Sequence, residues 1–332
     1  MPSEKPIDVL VYGLGAIGGF YAFILSRVSD VRVSVVARSN YEAVKANGLI
    51  INSEHHGEHV VHPYKVVTKA AETEMKFDYI VCAHKAIHQD AVPADIEAAV
   101  DPARTTIVII QNGVGNEEPF RESFPSTTII SCVTWTGAIQ AKSGRFTQMK
   151  NEDMQIGLFP NEAGDQTSEK HRLDDFARLL TGGRARFQVV ENIQVQRWEK
   201  VVWNVAWNSL TTLTLCDTQT WLHSSPQAQP MTRRLMCEVI DVAQRCGVPI
   251  KHGLADEQIA MVTGLGPIGS SMQTDYKAGR PMEVEIILGY PVRKARELNM
   301  QTPTLETIYL ILTAINGRLL KEAEKETAEN GR

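Results

Sequence analysis

The sequence predicts an α/β fold in two parts: a doubly wound parallel sheet first, then an all-α domain. Three observations support this. Up to residue 192, short β-branched runs alternate with helical patterns. The first of those runs breaks into a glycine-rich turn that opens a helix. From Gln194 onward, long helical periodicity replaces the strand–turn–helix alternation. We draw the boundary between residues 1–192 and 193–332, and 332 residues is a length that suits two domains.

The first element is the run Ile7 to Tyr12. It leads into Gly13-Leu14-Gly15-Ala16-Ile17-Gly18, and a helical pattern follows through Phe20, Tyr21, Phe23, Ile24 and Leu25. In this strand–turn–helix context, G-x-G-x-x-G reads as a dinucleotide site of the Rossmann type. Gly13 permits the tight turn, Gly15 lets backbone approach a pyrophosphate, and Gly18 lets helix and strand pack closely. The helix N-terminus offers N–H groups and the positive end of its dipole. A structural glycine turn in another α/β domain is the competing reading.

The second strand, Val31 to Ala37, tests which cofactor fits. An NAD-specific site ends this strand with Asp or Glu on the ribose 2′-hydroxyl. Here the chain reads Ala37-Arg38-Ser39-Asn40. A carboxylate would repel a 2′-phosphate, whereas a guanidinium holds it bidentately. Arg38 therefore favours NADP(H) over NAD(H); a solvated arginine would leave the preference open.

The later elements follow in order. Tyr41 to Asn47 is expected to be helical. Leu49–Ile51 and Val60–Val61 are expected as short strands around a polar turn. That turn and its flanks carry His55, His56, His59 and His62. A zinc site and a polar hairpin tip both fit this cluster, and the tip is favoured because no cysteine or supporting residue accompanies the histidines. Phe77–Ala83 is a buried strand ending at His84-Lys85-Ala86. Ligands in doubly wound sheets bind beyond the carboxyl ends of the strands, so Lys85 is either a phosphate ligand or a solvated side chain. Thr105–Ile110 ends in Gln111-Asn112-Gly113, where Asn112 is a site candidate or part of an ordinary turn. Ile129–Val133 and Gln155–Leu158 are further strands, and 182–190 closes this half.

In the second half, helices are expected over 194–215, 228–246, 254–264, 284–299 and 303–322, with a charged, fraying tail beyond. Prolines 226, 249, 267 and 303 fall between these segments or at their starts. On the first of these helices, Lys200, Asn204 and Asn208 are four apart and so form one stripe. Val201, Val202, Trp203, Val205 and Trp207 surround it, which predicts a buried helix. A buried Lys-Asn-Asn stripe must face a cleft or be paired to the other domain. Desolvation would lower the lysine pKa and suit it to proton transfer.

The totals exclude several classes. Net charge is −5 with both signs interspersed, which gives no footprint for nucleic acid or an anionic membrane. No apolar run approaches the ~18 residues of a membrane span. The five cysteines are scattered and form no C-x-x-C, which fits reduced thiols and a cytoplasmic location. Residues 1–6 are polar and resemble no targeting segment.

Taken together, Lys200-x3-Asn204-x3-Asn208 and S-S-M-x-x-D-x-x-x-G-R-x-x-E-V-E at 270–285 resemble the ketopantoate reductase (2-dehydropantoate 2-reductase) family. The G-L-G-A-I-G-G, the V-A-R of 36–38, the K-A of 85–86 and the Q-N-G of 111–113 match the same family in the same order. The resemblance implies a Rossmann domain binding NADPH through Gly13, Leu14, Gly15, Ala16, Ile17, Gly18, Arg38, Lys85 and Asn112. It implies an all-α domain completing a cleft, with Lys200 as general acid and Glu283 as its catalytic partner on the substrate hydroxyl. Ser271 would bind the substrate carboxylate, and Asn112, Asn204 and Asn208 would line the cleft. The implied reaction is NADPH-dependent reduction of a 2-oxo acid, foremost ketopantoate to (R)-pantoate in pantothenate biosynthesis, in a cytoplasmic enzyme. The sequence does not give the oligomeric state, and exposed helical faces in the second domain leave a homodimer open. Two departures bear on the substrate: Trp135 in Thr134-Trp135-Thr136-Gly137, and Leu288 where the family often has Asn. They leave room for a different bulky 2-oxo acid. A non-catalytic NADP(H)-binding regulator is the other alternative.

Overall fold

The computed structural model describes residues 5–161 and 164–330, with side chains up to residue 325. Residues 1–4 of the polar leader and the last two residues of the tail lie outside it. The chain divides into two compact units. One comprises Met1–Gln111 and Asn116–Ile193; the other comprises Asn112–Gly115 and Gln194–Arg332. The short segment Asn112–Gly115 thus packs with the second unit, although it precedes the expected boundary by some eighty residues.

The described residues of the first unit form twelve strands: β1 (Ile7–Tyr12), β2 (Val31–Val36), β3 (Leu49–Ser53), β4 (Gly57–Val61), β5 (Lys65–Val67), β6 (Tyr79–Cys82), β7 (Thr106–Ile110), β8 (Thr128–Thr134), β9 (Ala138–Lys142), β10 (Arg145–Gln148), β11 (Met154–Leu158) and β12 (Gln188–Val189). Its helices are α1 (Ala16–Ser26), α2 (Tyr41–Asn47), α3 (Val92–Ile96), α4 (Glu118–Ser123) and α5 (Gln166–Gly182). Eight strands form one sheet in the order β12-β11-β8-β7-β6-β1-β2-β5. The pairs are parallel except β11 against β8. β1 lies between β2 and β6, so the strand order reverses there. The carboxyl ends of β1 and β6 flank the crevice where such sheets take ligands.

Alternation along β1 builds both faces of the core. Val9 and Val11 pack on one side with Phe20, Phe23 and Ile24 of α1 and Phe176 of α5. Leu10 and Tyr12 point the other way, toward Phe77, Ile80 and Ile107. Full burial of such a side chain contributes roughly 1.5–3 kcal/mol. The remaining strands form a second sheet in the order β4-β3-β10-β9. The sequence reading found β3 and β4 but not β9 or β10. β9 carries Ala-Ile-Gln-Ala-Lys and is largely exposed, so no apolar alternation marks it.

The second unit is helical: α6 (Ile193–Thr214), α7 (Thr218–Leu222), α8 (Ala228–Arg245), α9 (Gly253–Thr263), α10 (Ser271–Lys277), α11 (Tyr290–Glu297) and α12 (Pro303–Asn330). Val201, Val202, Val205, Ala206, Trp207 and Leu210 of α6 are all buried. A helix apolar on most sides is a core helix. A π-helical stretch, Glu285–Gly289, leads into α11, so the helix expected over 284–299 changes its winding partway. The tail expected to fray beyond 322 is instead the end of α12. Its Lys-Glu-Ala-Glu-Lys-Glu sequence consists of strong helix formers with opposite charges three apart.

Candidate active site

The glycine turn lies at the carboxyl end of β1. Gly13 has φ +97°, a conformation that favours glycine, and a Cβ there would overlap the His84 backbone. A Cβ on Gly18 would collide with the Gly13 carbonyl. Gly15 differs: nothing lies within 4 Å of the position its Cβ would take, and it is exposed. Two glycines are thus fixed by protein packing, and the third faces open space. That division fits a loop shaped for a pyrophosphate. Gly15 is also the N-cap of α1 and offers no side-chain cap, so the first-turn N–H groups of Ala16 and Ile17 are left to other acceptors. Leu14 is buried, and its carbonyl accepts from Asn40 Nδ2 at 2.5 Å.

Around this turn stand the ends of β1, β2 and β6. Arg38 follows β2 with 79 % of its side chain exposed. Its NH2 donates to Tyr12 Oη at 3.4 Å. Lys85, in the loop after β6, is exposed. The imidazole of His84 packs edge-on to Tyr12, with ring centroids 5.1 Å apart. Burial first, and the Arg38 cation in addition, push its pKa down to about 4, so the ring is neutral near pH 7.

The second unit holds a different chemistry. Lys200, Asn204 and Asn208 lie on α6 as one stripe, with one turn, about 5.4 Å, between neighbours. Asn204 is 6 % exposed and Asn208 4 %. The Nδ2 atoms of both are buried and have no hydrogen-bond partner. Leaving a buried donor unsatisfied costs about 1–3 kcal/mol, and the same helix also holds the unpartnered Trp207 Nε1 and Thr212 Oγ1. Desolvation pushes the Lys200 pKa down to about 7. The Arg197 cation adds to the fall, and the Glu283 carboxylate opposes it.

Arg197 is a residue the sequence reading missed. It is 1 % exposed and donates from NH1 to the Gly113 carbonyl at 3.0 Å. Its position three residues before Lys200, on the same helix face, was the available signal. Gly113 has φ +91°, and a Cβ there would strike the Ile286 carbonyl. That close approach also lets Val114 N–H donate to Ile286 O at 3.1 Å. Asn112 is thereby set beside Glu283, its Nδ2 donating to Oε2 at 3.4 Å. Glu283 lies just ahead of the π-helical stretch. Its neighbour Glu285 is engaged elsewhere, accepting from Arg293 at 2.9 Å and Tyr309 at 3.0 Å.

Within this unit, Asn112, Arg197, Lys200 and Glu283 are thus linked by hydrogen bonds and electrostatic influence, with Asn204 and Asn208 on the stripe below. Ser271 is the first residue of α10 and exposed. Among the described residues no hydrogen bond joins it to this group. Its neighbour Ser270 caps α10 by accepting from Gln273 N–H and bonds Thr211 at 2.8 Å.

Of the four histidines, His55 and His56 lie in a hairpin turn, His59 lies on β4 and His62 follows it. The turn joins β3 to β4, and no described group of three His, Cys, Asp or Glu is placed to hold a metal ion. His56 links Arg27, at 2.7 Å, to the buried Glu152, at 3.0 Å. The His56 ring therefore accepts at Nδ1 and donates from Nε2. Burial, the largest influence on it, lowers its pKa. Trp135, directly after β8, is 37 % exposed. None of the cysteines among the described residues is disulfide-bonded, and no described helix is long and apolar enough to cross a membrane.

Two family models match the chain in sequence order. One, described as ketopantoate reductase PanE/ApbA, matches residues 9–161; its C-terminal counterpart matches residues 192–325. The crystal structure of 2-dehydropantoate 2-reductase from Methylococcus capsulatus is similar, at 32 % identity and a TM-score of 0.84 over 94 % of this chain and 98 % of that one. The 2-dehydropantoate 2-reductase of a Nostoc species is 25 % identical over 317 residues, covering 95 % of this chain and 97 % of its own. A ternary structure of D-mandelate dehydrogenase with NADH and anilino(oxo)acetate shares the fold, at 19 % identity and a TM-score of 0.83 over 94 % of this chain and 99 % of that one. With both of its units matched in order, the chain belongs to the ketopantoate reductase family of oxidoreductases.

Proposed function

We propose that this oxidoreductase uses NADPH to reduce a 2-oxo acid to the 2-hydroxy acid, with ketopantoate the first substrate to test. The observation that carries the reading is the α6 stripe: a lysine with its pKa near 7 and two buried amides without partners. When bound, the nicotinamide supplies a hydride to the C2 carbonyl carbon. The carbonyl oxygen gains negative charge and needs a proton. Lys200 as the ammonium stabilises that charge and donates the proton from Nζ, so the product carries C–H and O–H where the substrate had C=O. The Asn204 and Asn208 amides donate to the substrate without titrating. Glu283, held by Asn112, orients the substrate hydroxyl and offsets the field of Arg197. Ser271 is proposed for the substrate carboxylate.

On the first unit we assign Gly13, Leu14, Gly15, Ala16, Ile17 and Gly18 to the pyrophosphate, and Arg38 with Lys85 to the 2′-phosphate. A homodimer is proposed as well. Leu310 and Ile311 leave 53 % and 47 % of their surfaces exposed on α12, and light scattering of the purified protein checks the state. A cytoplasmic location accords with the unbridged cysteines.

The deciding experiment follows NADPH oxidation against ketopantoate and a panel of branched and aromatic 2-oxo acids, for the natural protein and for Lys200→Ala. Turnover should fall at least ~100-fold in the variant, the low end of general acid catalysis, while NADPH affinity barely changes. Turnover of no 2-oxo acid would favour a non-catalytic NADP(H)-binding regulator. Near-normal turnover by the variant would place the proton donor elsewhere.

A further inference from the structure

The carboxylate that β2 lacks is supplied by another element. Asp95, on α3, lies beside Arg38, with its Oδ2 3.9 Å from the guanidinium NH2. The same Oδ2 accepts from Tyr12 Oη at 2.7 Å, and Tyr12 in turn accepts from Arg38. Tyr12 is the last residue of β1 and 5 % exposed, so it anchors the pair at the mouth of the ligand crevice. Burial, followed by the hydrogen bond to Asp95, raises the Tyr12 pKa and keeps the phenol a proton donor. Asp95 itself keeps about half of its side-chain surface in solvent, and no hydrogen bond to Oδ1 is formed among the described residues.

An acid and a base thus share the corner where an adenosine ribose is read. They act oppositely on the two nicotinamide cofactors. The carboxylate accepts from a free 2′-hydroxyl and repels a 2′-phosphate, whereas the guanidinium attracts the phosphate. We infer that Asp95 is a specificity-determining residue: its Oδ1 accepts from the ribose of NADH while its charge opposes NADPH, so the enzyme binds the two cofactors less unequally than Arg38 alone would dictate. This rests on the nicotinamide-cofactor reading above. A dianionic phosphate about 6 Å from a carboxylate in water is disfavoured by about tenfold in binding.

The test is equilibrium binding rather than turnover. NADPH and NADH are titrated by their own fluorescence, at low ionic strength, into the natural protein, Asp95→Asn, Asp95→Ser and Arg38→Ala. Asp95→Asn keeps an oxygen for Tyr12 and removes the charge. We expect its NADPH Kd to fall about tenfold and its NADH Kd to rise several-fold. Asp95→Ser should repeat the crossing, and Arg38→Ala should weaken NADPH alone. Unchanged affinities, or both cofactors weakened together as a merely structural role would give, overturn the assignment. If the natural protein prefers NADH yet Asp95→Asn still produces the crossing, the inference stands and the NADPH reading falls. If the natural protein binds neither cofactor, both fall.

Discussion

The Lys200 pKa is set by groups that can be changed one at a time, and Arg197 is the informative one. The two cations sit three residues apart on α6, and side chains at that spacing lie about 5–6 Å apart. At 6 Å, two unit charges repel by about 0.7 kcal/mol in bulk water and about 2.8 kcal/mol at an effective dielectric of 20. Replacing Arg197 by Met should therefore raise the Lys200 pKa by roughly 0.5–2 pH units from its value near 7. A general acid works in its protonated form. The rate of the natural enzyme should accordingly fall about tenfold per pH unit above pH 7, and in Arg197→Met the descent should begin correspondingly higher. The assay is kcat/KM for the 2-oxo acid from pH 5.5 to 9.5, which reports the free enzyme. Arg197→Lys keeps a positive charge beside Lys200 and should leave the profile nearly in place. A descending limb that Arg197→Met does not move would refute the electrostatic account, and a limb near pH 10 in the natural enzyme would refute the desolvation of Lys200 itself.

Other expectations follow from the same geometry. Gly15→Ala should melt normally, because its Cβ enters open space, yet bind NADPH at least several-fold more weakly; Gly18→Ala, whose Cβ meets the Gly13 carbonyl, should lower the melting temperature by several degrees as well. Glu283→Gln should raise the substrate KM and lower kcat in steady-state assays while leaving NADPH titrations unchanged. Lys200→Met should be more stable than the natural protein at pH 6 by up to about 5 kcal/mol, measured by urea unfolding. The sign follows from the lowered pKa: below pH 7 the folded state carries the full cost of a desolvated ammonium. That cost fades as pH rises toward 10.5, where the unfolded lysine also loses its proton.

The sequence was most legible where one short stretch carried its own period. β1, the glycine turn and α1 were readable because alternation, glycine spacing and helical apolar positions succeed one another within twenty residues. The α6 stripe was readable because four-residue spacing is itself the geometry. Legibility failed where function depends on distant residues meeting. Tyr12 and Asp95 are 83 positions apart, and nothing in Val92–Ile96 marks an acid bound for the mouth of the sheet. β10 joins β3 in parallel across nearly a hundred residues, with Phe146 its one buried apolar anchor. α7 and α10 are short, five and seven residues, and too brief to show a helical apolar period; Asp217 and Ser270 cap them. Arg197 looked like an ordinary helix charge because its acceptor, the Gly113 carbonyl, comes from a segment 84 residues earlier.

That segment limits how the protein can be taken apart. The helical unit is not a contiguous length of chain, since it borrows Asn112–Gly115 from the middle of the sheet-forming sequence. A fragment cut at residue 193 would lack the carbonyl that receives the buried Arg197 guanidinium and the N–H that pairs with Ile286. A chimaera joined at that point would inherit the lysine from one parent and the asparagine facing its glutamate from the other. Module exchange in this family therefore has two seams to respect rather than one: the obvious junction before α6, and a four-residue insert at the end of β7 that travels with the helices.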